Sequence, residues 1–172
     1  NVKNRKVAFD SLKLSLNQSG NLEFDKPVNL LINTPLVNFD STKIKLIDKD
    51  TLAVVYNLKL DTLKNHLNFD FKVLPSQNYR IELLPGAITD FFENTNDTVY
   101  FNMKTKSVAD YGNLTLNING SNIEYPIIVQ LTNDKGELQR EIYAEEGNAF
   151  AFNNLNPGKY MARVVFDENA NR

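Results

Sequence analysis

Residues two apart point the same way in an extended chain, and this sequence is assembled from short runs that use that geometry. In residues 67–73, Leu67, Phe69, Phe71 and Val73 fall on one face while Asn68, Asp70 and Lys72 fall on the other. Strict alternation of this kind marks a half-buried strand. The same period returns at Leu12, Leu14 and Leu16, at Val54, Tyr56 and Leu58, at Tyr79, Ile81 and Leu83, and at Val99 and Phe101. Between the runs stand Asn17-Gln18-Ser19-Gly20, Asp40-Ser41-Thr42, Asp48-Lys49-Asp50, residues 61–65 and Pro85-Gly86. These residue types supply the backbone angles and local side-chain bonds that reverse a chain. Residues 22–28 alternate as far as Phe24, and Pro27, which has no N–H to donate, predicts an edge strand or a bend there. Short strands at this spacing predict an antiparallel β-sandwich, and no window in this part of the chain carries a sustained helical period.

Residues 105–112 have little periodicity and end in Gly112, which places a boundary between domains at 1–106 and 107–172. Beyond it a second set of strands is predicted at 114–118, 127–131, 138–143, 149–152 and 161–166, with a turn at Asn133-Asp134-Lys135-Gly136. The expected fold is therefore all-β, a larger sandwich followed by a smaller one whose C-terminal end is a candidate for being incomplete. A domain of this size buries only about 60% of its unfolded surface. The smaller one is accordingly expected to lean on the larger.

Composition removes several functional classes. Nineteen basic and 21 acidic residues give a net charge of -2, and the lysines are scattered among acids, so there is no basic face for a nucleic acid. No run approaches the roughly 18 apolar residues that span a bilayer. The opening NVKNRKVAFD lacks the apolar middle of a signal peptide, so an exported form would have lost its signal before residue 1. The chain has no cysteine, which excludes disulfides, thiol catalysis and cysteine metal sites within it.

Two stretches resemble known families. In residues 79–97, YRIELLPGAITDFFENTND, the residues Tyr79, Ile81, Leu83, Ile88 and Asp90 resemble the closing strand and corner of bacterial Ig-like domains of the S-layer-protein type. Phe24, Pro27 and Val28 match a step near the start of the same domains, and the resemblance covers about residues 22–104. Where that family places Gly-Asn, this chain has Glu93-Asn94. In residues 150–164, Phe150, Phe152, Leu155, Pro157, Gly158, Tyr160, Ala162 and Val164 resemble the end of prealbumin-like domains related to collagen-adhesin B repeats and carboxypeptidase regulatory domains. Together these resemblances imply an exported module of a bacterial envelope or cell-surface lipoprotein, a spacer or adhesion platform rather than an enzyme, with other envelope proteins or glycans as partners.

The chemistry-bearing residues are few. His66 is the sole histidine and reads as a surface residue at a strand start. Asp90, Glu93 and Asp97 concentrate oxygen ligands in one corner, and Asp167, Asn169 and Asn171 open like a calcium loop but lack the glycine at its sixth position, where Arg172 stands. Both sets are calcium candidates, although Asp and Asn equally stabilise turns through their own backbone. The adjacent Phe91 and Phe92 are candidates for a ligand or partner contact, because neighbouring residues in an extended corner cannot both face one core. The pairs Asp48/Asp50 and Glu145/Glu146 have the types but not the demonstrated convergence of a glycosidase pair, and charged turns explain them.

Overall fold

The computed structural model describes residues 11–24, 26–120 and 123–167. Among these residues it is all-β, with fifteen strands and two single turns of 3-10 helix, and the chain divides into two compact units between Lys106 and Ser107.

In the first unit the strands are β1 (Leu14–Leu16), β2 (Gly20–Asn21), β3 (Val28–Ile32), β4 (Leu36–Phe39), β5 (Ile44–Ile47), β6 (Tyr56–Asp61), β7 (His66–Phe71), β8 (Asn78–Leu83), β9 (Ile88–Asp90) and β10 (Val99–Lys104). They form two four-stranded sheets, ordered β1-β3-β7-β6 and β2-β10-β8-β5, and a separate pair, β4-β9. All pairings are antiparallel except β2 with β10. The alternation read from sequence sets which residues meet. Leu30, Leu67 and Phe69 from one sheet and Leu46, Ile81 and Leu83 from the other are buried in one cluster. Each such side chain contributes about 1.5–3 kcal/mol of transfer free energy.

Two strands differ from the sequence reading. The expected strand at 22–24 is instead an irregular segment, and the ladder begins at Val28, immediately after Pro27. Gln18 explains why: its amide donates to the carbonyls of Lys26 (3.0 Å) and Pro27 (3.1 Å) and its Oε1 accepts from the Glu23 N–H (2.8 Å), closing the segment into a loop. Leu22 nevertheless reaches the core at 1% exposure. Similarly β4, Leu-Val-Asn-Phe after Pro35, is apolar on both faces and does not alternate, and its register with β9 is broken between Leu36 and Asn38.

The second unit opens with a 3-10 turn at Val108–Asp110, capped reciprocally by Ser107 and Asp110. Its strands are β11 (Gly112–Asn117), β12 (Ile127–Thr132), β13 (Leu138–Ala144), β14 (Ala149–Leu155) and β15 (Met161–Phe166), arranged as a two-stranded sheet β11-β14 and a three-stranded sheet β13-β12-β15. Ile127, Val129, Leu131, Phe150, Phe152 and Leu155 form the core. Tyr160 closes the Pro157-Gly158 reversal, its hydroxyl donating to the Asn156 carbonyl at 2.7 Å.

β15 forms at the bounds read from sequence, but it is not buried. Ala162, Val164 and Phe166 pair with Leu131, Val129 and Ile127, which are fully buried, yet every residue of β15 is exposed. The strand lies at the edge of its sheet, bonded to β12 alone.

Candidate functional site

The corner that follows β9 is built on a buried carboxylate. Asp90, 1% exposed, accepts four hydrogen bonds: from the Thr34 hydroxyl (2.8 Å), the Phe92 N–H (2.9 Å), the Asn94 N–H (2.8 Å) and the Asn94 side-chain amide (3.0 Å). Burial pushes the Asp90 carboxyl up, but the bonds from Asn94, Thr34 and Phe92 outweigh it and leave its pKa below the ordinary carboxylate value. The backbone closes the same loop, with the Asp90 N–H donating to the Asn94 carbonyl and the Glu93 N–H to the Asp90 carbonyl.

Two asparagines fix the surroundings. Asn96 accepts from the Ile88 N–H (2.7 Å) and donates to the Leu84 carbonyl (3.0 Å). Asn65, in the β6–β7 turn, donates to the carbonyls of Ile32 (2.8 Å) and Thr34 (2.6 Å) and accepts from the Leu36 N–H (2.8 Å). Three loops are thereby tied at one end of the first unit. Asn65 was read from sequence only as part of a turn, and Thr34 not at all, because their partners lie 31 and 56 positions away.

On this frame the aromatic pair is displayed. The Phe91 N–H donates to the Pro35 carbonyl at 2.8 Å, so the backbone is pinned while the ring is 67% exposed. Phe92 is 36% exposed, and the two rings meet edge to face with centroids 5.6 Å apart and planes at 83°. Leu63, at the tip of the turn that Asn65 ties in, is 97% exposed, and Val37 on β4 is 62% exposed. Large apolar groups held in water by a rigid frame are characteristic of contact surfaces.

No protein-family model matches this chain, and no curated protein matches it. One solved structure similar to it is native alpha-2-macroglobulin from Escherichia coli spanning domains MG0-NIE-MG1, at 15% identity and a TM-score of 0.44, with 91% of this chain aligned to 59% of that one. The chain thus spans less than two thirds of that chain's length.

The other sequence candidates are dispersed. Glu93 and Asp97 are exposed at the corner while Asp90 points inward to its protein donors, so the three carboxylates do not converge. Among the described residues no three His, Cys, Asp or Glu side chains gather as metal ligands would. Asp167 is 8% exposed, with its N–H donating to the Pro126 carbonyl; Asn169 and Asn171 lie outside the described residues. His66 is half-buried rather than on the surface, with Nε2 3.7 Å from Asp61 Oδ2. Asp48 uses its carboxylate to accept from the N–H groups of Asp50 and Leu52, both at 2.9 Å, and Glu145 and Glu146 are exposed in a turn.

Proposed function

We propose that this chain is a non-enzymatic interaction module of an exported bacterial envelope or cell-surface protein, in which the rigid loop end of the first sandwich presents Phe91 and Phe92 to a protein partner. The exported setting, the S-layer-like and prealbumin-like domain types and the adhesion or spacer role follow from the resemblances of residues 22–104 and 150–164. The observation that carries the binding role is the 67% exposure of Phe91 on a backbone fixed by Asp90, Asn65 and Pro35.

Geometry favours protein over glycan. Sugar recognition uses a flat aromatic platform flanked by free hydrogen-bonding groups, whereas these rings stand at 83° to each other. Asp90 and Asn96 beside them are consumed in the frame. An exposed aromatic pair with its rings crossed suits an apolar patch on a protein surface, where buried aromatics are the usual anchors and charged groups such as Glu93 and Asp97 fall at the rim. The carboxylates with lowered pKa, Asp40, Asp61 and Asp90, each hold a turn through hydrogen bonds, which accounts for their shifts without a catalytic role.

The test is paired capture. Immobilised wild-type chain and F91A/F92A are exposed to solubilised envelope proteins and, separately, to a glycan array. A protein retained by the wild type and released by the double substitution is the expected result. Identical retention by both would remove the corner from the reading, and a glycan lost on substitution would replace the protein partner with a sugar.

A further inference from the structure

The first unit also contains a pocket of about 380 Å³, away from the aromatic corner, where the turn after β5 meets the start of β8 and the end of β10. Ligand pockets span roughly 300–1,000 Å³, so this one is of a size for a small molecule. Its lining combines two chemistries. Ile47, half-buried, and the alkyl stems of Lys49, Arg80 and Lys104 give the pocket an apolar surface, and Tyr79 and Met103, 3% and 2% exposed, back it from the core. Against it stand three cations, Lys49, Arg80 and Lys104, and a single carboxylate, Asp48, in a chain whose net charge is -2.

Asp48 does not neutralise the cations by pairing, because its carboxylate accepts the N–H groups of its own turn. Arg80 is engaged by Glu82 at 2.8 Å and lies 5.5 Å from the centre of the Tyr100 ring. Lys49 and Lys104 have no ion-pair partner among the described residues. The turn carrying Lys49 is preformed, with the Thr51 N–H donating to the Asp48 carbonyl (3.1 Å) and the Asp48 N–H to the Leu52 carbonyl (3.0 Å). Thr51, which also lines the pocket, is held at φ 60, a conformation that β-branched residues rarely adopt. A site that is already shaped avoids the ordering entropy of binding.

We propose that this pocket binds a small amphiphilic carboxylate, its head held by Lys49 and Lys104 and its apolar body lying against Ile47 and the alkyl stem of Arg80. The charge excess selects an anion, and the apolar lining selects one with a hydrocarbon body over inorganic phosphate or acetate. Screening by salt weakens such exposed charge contacts, so affinity falls as ionic strength rises.

The test titrates octanoate into the whole chain under amide-resolved NMR, with acetate and octanol as the isolated head and body. Expected are saturable shifts at residues 48–51, 78–80 and 102–104, with each half-ligand binding about tenfold more weakly or less. Both lysines are exposed, so K49E/K104E is expected to fold, and unchanged shifts elsewhere check this. It weakens octanoate about tenfold while leaving octanol unchanged, and K49R/K104R retains octanoate binding. Absence of saturable shifts, shifts centred on Phe91 and Phe92, or equal octanoate affinity in K49E/K104E would each overturn the proposal.

Discussion

Glu93 occupies the left-handed backbone region at φ 63, in the place where the resembling family carries glycine. An L-residue there sets its Cβ against the following carbonyl, a strain of about 1–2 kcal/mol. Its exposed side chain makes none of the bonds that hold the corner, which come from its backbone and from Asp90. Glu93→Gly is therefore expected to raise the unfolding free energy, by roughly 1 kcal/mol or somewhat less because glycine also loosens the unfolded chain. A urea midpoint that falls would show that the side chain contributes more than the strain removes. Asp90 gives a prediction in pH. Its folded pKa lies below the unfolded value of about 3.8, so its contribution is fully present above that value and is lost as pH falls through the folded pKa. Acid unfolding of the wild type should steepen below about pH 4, and Asp90→Asn, though less stable at neutral pH, should show a shallower acid limb; parallel limbs would remove Asp90 as a contributor. Sequence showed Asp90 as an oxygen-bearing corner residue but not its direction. That is set by the Thr34 hydroxyl, 56 positions earlier, and no local pattern carries such a partner.

Alternation located strands where one face was to be buried and missed those organised otherwise. β7 and β8 were visible because Leu67, Phe69, Ile81 and Leu83 enter the core at period two. β3 was not recognised: Val28, Leu30 and Ile32 are buried at period two, but Leu31 on the opposite face blurs the alternation, and the strand's start depends on the Gln18 clasp. For β15 the limit is different: its ladder forms where the sequence placed a strand, but burial needs a facing sheet, which a strand's own residues cannot reveal. That contrast is measurable between paired positions. Leu131, fully buried on β12, should lose about 2–5 kcal/mol on substitution by alanine. Val164, 37% exposed on the neighbouring strand, should lose less than about 1 kcal/mol on the same change. Denaturant melts of Leu131→Ala and Val164→Ala decide it. Equal losses would mean that β15 is covered in solution.

The two units differ in how much apolar surface each encloses, and this sets an expectation for the molecule as a whole. Among the described residues the first unit buries fifteen apolar side chains in one cluster, whereas the second buries seven and leaves the outermost strand of its larger sheet exposed. Hydrophobic burial must offset the conformational entropy of every ordered residue, and smaller cores do so less completely. The second unit should therefore open first. Amide exchange of the intact chain reads this directly, because amides in core strands report the opening free energy of the unit that holds them. Those of β12, central in its sheet, are expected to exchange at least about tenfold faster than those of β8, a difference of about 1.4 kcal/mol or more. Exchange at a common rate, shifting together under mild denaturant, would show instead that both units unfold as one cooperative body and that the smaller core draws stability from outside itself.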